Sequence, residues 1–127
     1  MVVPPITVLV ADDEPMVRQA LTDMLNDNPR IRVVASVGDA AAAIRRAGEL
    51  RPDVAVLDVR MPGGGGAAAA RGIRIASPRT RIFAHSACDD VASSNEMLAA
   101  GAQAYFVKGA GARRIVAGIL AEDGNVA

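Results

Sequence analysis

Five short apolar runs alternate, over 127 residues, with segments whose apolar positions recur at helical spacing. Strand-length runs that are apolar throughout are buried on both sides, and helices between them supply that cover, so the pattern commits the chain to repeated strand–helix units. The runs occupy 6–11, 31–37, 54–58, 81–86 and 104–107. After Asp13, the residues Val17, Ala20, Leu21, Met24 and Leu25 share one helix face until Asn28-Pro29 stops the segment. Asp39 reads as the N-cap of a second helix over 40–50, which ends before Arg51-Pro52. Further helices are expected over about 66–76, 90–100 and 112–121. Five such units imply a parallel sheet with right-handed crossovers.

The length fits one domain over 1–127, with a core of about 6–121 and a tail or linker start at 122–127. Alanine and branched aliphatics supply the apolar half of the chain, with no tryptophan, one tyrosine and two phenylalanines, so the core should be thin-layered and aliphatic. Fourteen basic side chains balance fourteen acidic ones, which gives the chain no overall charge with which to recruit nucleic acid or an anionic membrane. Cys88 is the only cysteine, so an internal disulfide and a paired Cys/His zinc site are both excluded. The N-terminus lacks the basic region and long apolar core of a signal peptide, and no apolar stretch reaches spanning length. A cytoplasmic location is the expectation.

In an open parallel sheet, ligands bind beyond the carboxyl ends of the strands. Asp12 and Asp13 follow the first run, Asp58 the third, Ser86 the fourth and Lys108 the fifth. Each has a structural explanation of its own, since acids cap helices, serines open turns and a lone lysine is usually solvated. Their convergence at one sheet edge is harder to attribute to structure. Lys108 is the only lysine against thirteen arginines, which suggests a task for a compact point charge on a flexible stem. Three crowded carboxylates repel one another unless a cation intervenes. Acids without a histidine or thiol cluster suit Mg2+ (or Mn2+), with Asp13 and Asp58 as direct ligands and Asp12 acting through water. The chemistry suggested is phosphoryl transfer to a carboxylate, with Asp58 as nucleophile, Lys108 neutralising charge on the transferring oxygens and Ser86 donating a hydroxyl hydrogen bond.

These residues, with their neighbours, resemble the receiver domains of two-component response regulators. The likeness rests on Val10-Ala11-Asp12-Asp13-Glu14, Leu57-Asp58-Val59-Arg60-Met61-Pro62, Ser86-Ala87, Gly101-Ala102 and Tyr105-Phe106-Val107-Lys108-Gly109, and it covers Ile6 to about Leu120. It implies a flavodoxin-like, doubly wound (βα)5 sheet of strand order 2-1-3-4-5. By the same resemblance Asp58 is the phospho-acceptor, Asp12 and Asp13 form the acidic pocket, the Arg60 backbone carbonyl is a further metal ligand, Ser86 and Tyr105 are the switch pair and Lys108 is the site lysine. Such a domain catalyses its own aspartate phosphorylation and dephosphorylation. The implied partners are a sensor histidine kinase or phosphotransfer protein, and an output domain or downstream protein. A homodimer through helix 4, strand 5 and helix 5, or through helices 1 and 5, is also implied. The domain itself is expected to bind neither nucleic acid nor membrane. His85 reads as a packed or hydrogen-bonded strand residue, since the donor histidine of this family sits on the kinase.

Several features depart from the family pattern. Four consecutive glycines, Gly63 to Gly66, should leave the loop after Asp58 poorly restrained. The third helix opens on Ala67-Ala68-Ala69-Ala70, Gly72 should weaken it by roughly 1 kcal/mol relative to alanine, and its anchoring is expected from Ile73 and Ile75. In the fourth helix Ser93, Ser94 and Asn95 compete with the backbone for hydrogen bonds, so its first turns should be marginal and its bulkier contacts are expected only at Met97 and Leu98. Arg60 and Cys88 are placed to affect how water reaches the phosphoryl group. A helix-turn-helix module needs on the order of 60 further residues. The chain therefore reads either as a stand-alone receiver or as the excised N-terminal receiver of a DNA-binding transcription regulator. Two further alternatives are a degenerate receiver that binds partners without phosphorylation, and a phosphohydrolase. The phosphohydrolase lacks both a second aspartate two residues beyond the nucleophile and a cap.

Overall fold

The computed structural model describes residues 3–87, 89–109 and 112–124. The elements run β1 (Ile6–Ala11), α1 (Pro15–Asn26), β2 (Ile31–Val37), α2 (Ala40–Leu50), β3 (Val54–Leu57), α3 (Gly65–Ala76), β4 (Arg81–Ser86), α4 (Val91–Ala100), β5 (Ala102–Val107) and α5 (Ala112–Gly124). All strand pairs are parallel, in the order β2-β1-β3-β4-β5. The doubly wound sheet expected from the sequence is thus the one observed. The order reverses between β1 and β3, and the crevice at that reversal is where such sheets bind ligands.

Alternation along the central strands sorts their side chains onto two faces. Leu9, Ala11, Ala55, Leu57, Ile82 and Ala84 meet α2, α3 and α4, whereas Val8, Val10, Val54, Val56 and Phe83 meet α1 and α5 through Leu21, Leu25, Ile115 and Ile119. Phe83 meets Phe106 edge to face, with ring centroids 5.7 Å apart. Apart from that aromatic pair on the α1–α5 side, the buried core is built almost wholly of aliphatic residues, as expected from composition.

Some expectations are corrected. The third strand stops at Leu57, one residue short, which puts Asp58 just beyond it; β5 starts two residues early at Ala102, and α3 starts at Gly65. In α1 the expected face is cut back, because Ala20 is exposed while Leu21 and Leu25 are buried. Anchoring of α3 does not involve Ile75, which is 84% exposed; Gly66, Ala67, Ala69, Ala70 and Ile73 form the buried face. Ile73 and Ile75 lie about 200° apart on a helix, so both cannot face the sheet. Gly72 has a packing reason that offsets its helix cost: a Cβ there would run into the Ile44 side chain of α2. On α4, Met97 is buried but Leu98 is 45% exposed. Asp90 lies outside the helix as its N-cap, accepting from the Ser93 amide at 3.1 Å, so the polar first turn is capped. Gly63, Gly64 and Gly65, which lead into and open α3, have φ of 90°, 102° and 78°, three successive positive values that only glycine adopts without strain.

Candidate functional site at the carboxyl edge of the sheet

The residues at the strand ends are held by extensions of the strand ladder. The Asp12 amide donates to the Val37 carbonyl at 3.0 Å, the Asp58 amide to Ala11 at 2.9 Å and the Lys108 amide to Ser86 at 2.8 Å. Asp12, Asp58 and Lys108 are therefore each fixed by the strand beside them. Their side chains converge: the Lys108 ammonium lies 2.8 Å from Asp12 Oδ2 and 3.2 Å from Asp58 Oδ2. Asp12, Asp13 and Asp58 each offer a carboxylate oxygen within 4.8 Å of the others, with Asp12 and Asp58 buried and Asp13 exposed. A cavity of about 280 Å3 opens over them, lined by Asp13, Glu14, Asp58, Arg60, Ser86, Ala87 and Lys108. Ser86 is buried at the end of β4, and Tyr105 of β5 is half-buried against the α3–α4 side of the core. Cys88 lies outside the described residues.

Electrostatics follow from that crowding. Burial pushes the Asp58 carboxyl above the usual carboxylate range and the Asp12 charge adds to the push, while Lys108 and a backbone hydrogen bond from Arg60 oppose it. Burial by itself would depress the Lys108 ammonium, but its hydrogen bond to Asp12 and the charge on Asp58 outweigh burial and hold it above its ordinary value. Two carboxylates and one ammonium in a part-buried site leave Asp58 short of positive charge. That deficit, together with an all-oxygen donor set, fits a hard divalent cation whose ligands come from Asp12, Asp13 and Asp58.

His85 is packed, one of the two alternatives expected of it. It is buried, neither ring nitrogen has a partner among the described residues, and it lines a cavity beside Val17, Leu21 and Met24 of α1. Burial, and then the nearby Lys108 charge, lower its pKa to about 4 despite the pull of Asp12, so the ring is neutral at neutral pH.

Two contributors escaped the sequence reading. Arg18 of α1 donates from its guanidinium to the Asp12 main-chain carbonyl at 2.7 Å, across Gly38, and so braces the turn carrying both acids. Gly66 lies against Asp58: a Cβ there would collide with the Asp58 carbonyl oxygen and come within 3.1 Å of Met97 Sδ. A main-chain acceptor has no sequence signature, and the glycine was legible only as part of a flexible run.

Comparison with known proteins gives one answer at three levels. The response regulator receiver domain model matches residues 8–120. Response regulator GacA of Pseudomonas viridiflava is 38% identical over 114 residues, which is 90% of this chain and 53% of that protein. The DNA-binding transcriptional activator DevR/DosR of Mycobacterium tuberculosis is 36% identical over 103 residues, 81% of this chain and 48% of that protein. The chain spans about half the length of these curated relatives. Among solved structures, the signal receiver domain of NarL from M. tuberculosis superposes with a TM-score of 0.89 at 32% identity, covering 97% of this chain and 99% of that one. The response regulator domain of Thermotoga maritima CheB gives 0.79 at 30% identity, covering 93% and 92%.

Proposed function

The chain belongs to the response regulator receiver domain family, and from that membership we propose that Asp58 is its phospho-acceptor in a reaction that depends on Mg2+ or Mn2+. Phosphorylation on an aspartate is the standard function of the family. The observation that carries the assignment is the Lys108 ammonium within 3.2 Å of Asp58 Oδ2, on a carboxylate that burial and Asp12 have made reluctant to ionise. The residues proposed to hold the cation are Asp13 and Asp58 directly, the Arg60 backbone carbonyl, and Asp12 through water. When bound it supplies positive charge opposite the transferring oxygens.

An Asp58 carboxylate oxygen attacks the phosphorus of the donor, the bond to the leaving group breaks and an acyl phosphate forms. Lys108 neutralises charge gathering on the phosphoryl oxygens. Hydrolysis returns inorganic phosphate and the free carboxylate. A phosphoryl group adds charge and acceptor oxygens beside Ser86, whose hydroxyl turns toward it, and Tyr105 moves into the space released. The α4–β5–α5 face changes shape as a result. The donor is a sensor histidine kinase or phosphotransfer protein, and the readers are an output domain or separate partner and a second copy through α4–β5–α5 or α1/α5. The proposed location is the cytoplasm; no helix among the described residues is long and apolar enough to cross a membrane.

Intact-mass measurement after incubation with acetyl phosphate or phosphoramidate tests the assignment. One added phosphoryl group is expected with Mg2+ present, none without it and none in Asp58→Asn, while Asp13→Ala raises the Mg2+ requirement. Labelling that persists in Asp58→Asn moves the nucleophile elsewhere. Lys108→Arg keeps the charge but replaces a point donor with a planar fork, so partner binding should respond less to phosphorylation.

A further inference from the structure

At the opposite end of the strands, the segments entering β3 and β4 enclose a concavity of about 710 Å3 lined by Arg51, Asp53, Ile75, Ser77, Pro78 and Arg79, among others. We infer that this concavity, lined by Arg51 and Arg79 and by the exposed Ile75, is a docking site for an acidic segment of a partner protein that presents an apolar side chain.

Charge is the first support. The chain is neutral overall, yet residues 45–81 hold eight arginines against three acids, Glu49, Asp53 and Asp58. All three acids are already engaged: Glu49 pairs with Arg46 at 2.9 Å, Asp53 accepts from the Thr7 amide at 2.8 Å and its hydroxyl at 3.1 Å, and Asp58 pairs with Lys108 at 3.2 Å. Arg51 and Arg79 are exposed, and neither guanidinium is hydrogen-bonded or ion-paired to another described residue. An acidic segment is the complement of such a wall, and two guanidinium forks suit carboxylates.

Backbone conformation is the second support. Arg51 caps α2 at φ 47°, the only positive φ outside glycine among the described residues. A left-handed residue with a side chain costs about 1 kcal/mol or more, and helices usually place glycine or asparagine there. The strain fixes the direction in which the arginine leaves the helix, and strained conformations persist where a side chain has a task.

Ile75 is the third. It is 84% exposed on the solvent side of α3, and Leu50, next to Arg51, is 40% exposed. An exposed apolar side chain in a concavity that also carries two arginines fits a peptide with an apolar residue among acids. Nucleic acid is disfavoured by the absence of an aromatic stacking platform among the lining residues. The site lies at the far end of the strands from Asp58 and does not rest on the phosphorylation reading.

The test is a titration of the isotope-labelled protein, followed by amide resonances, with a dye-labelled glutamate-rich peptide carrying a central leucine. The same peptide with serine at the centre and a DNA duplex serve as controls. Resonances of residues 49–53 and 74–79, Pro52 and Pro78 excepted, should move. Arg51→Gly and Arg79→Ala should each weaken binding about threefold to tenfold, and Ile75→Ser should abolish the preference for leucine over serine. Glycine relieves the left-handed strain, so Arg51→Gly should keep or raise Tm while binding falls; loss of binding therefore cannot be put down to unfolding. Asp58→Asn should bind the peptide as the unaltered chain does. Failure to bind, shifts confined to other residues, or binding that survives both arginine variants would overturn the proposal. Displacement of the peptide-free resonances at these same positions by the duplex alone would replace it with a nucleic-acid site.

Discussion

The two faces of the sheet are packed by opposite means. On the α1–α5 side, Val8, Val10, Val54, Val56 and Phe83 are met by Leu21, Leu25, Ile115 and Ile119, so the space is filled with side-chain bulk. On the α2–α3–α4 side, Ala43, Ala47, Ala67, Ala69, Ala70, Ala84 and Ala100 leave little to fill, and helices approach closely enough for Ile44 to sit over Gly72 and for Gly66 to touch the Asp58 backbone. One face holds by volume and the other by proximity. Errors should therefore carry opposite signs: removed atoms harm the first face, and added atoms harm the second.

Phe83→Ala is the strongest attack on the bulky face. It empties a fully packed ring and its edge contact with Phe106, so a loss of about 3–5 kcal/mol is expected in denaturant unfolding. A loss below about 1 kcal/mol would mean that this face collapses around gaps and that the contrast is false.

Gly66→Ala attacks the close-packed face by adding one methyl group. The added Cβ has backbone, not a flexible side chain, in its way, so about 1–3 kcal/mol should be lost although alanine favours helix. Because the obstacle is Asp58, acetyl phosphate labelling should also slow, whereas Phe83→Ala should leave the labelling rate of the folded fraction near normal.

Asp90→Ala probes α4, which belongs to the close-packed face yet buries only Met97 and Ala100. Removing the cap should lower the stability of the first turn. Residue-resolved hydrogen exchange should show that this cost falls on 91–96 alone. In the unaltered chain these amides should exchange faster than those of α3 and slow when phosphodonor and Mg2+ are added. Equal protection of α3 and α4 in both states would remove α4 as the moving element.

Much of this was legible in the sequence, for a definite reason. Apolar runs mark strands, and whatever follows a parallel strand lies at the ligand-binding edge, so Asp12, Asp13, Asp58, Ser86 and Lys108 could be gathered before any coordinates. What misled was ranking by bulk. Ile75 outranked Ala69 and Ala70 as an anchor, yet helical phase places the alanines inside and the isoleucine outside. Gly72 read as a weakness because its Ile44 neighbour comes from another helix, and Arg18 was missed because its acceptor is a main-chain oxygen. Tertiary proximity of this kind leaves no local periodicity.

The ladder bonds that reach from Val37 to Asp12, from Ala11 to Asp58 and from Ser86 to Lys108 make the site an inspector of strand alignment. The β4–β5 pairing already shifts register once, between Ile82 and Phe83. A further slip of one residue in β5 would turn Lys108 to the opposite side of the sheet and bring glycine or valine to the place of the ammonium. Chains that collapse with a misaligned edge strand can be compact and helical and still take up no phosphoryl group. In a refolding experiment, the recovery of labelling competence would then lag behind the recovery of helix signal, and the interval between them would time the last correction of the sheet.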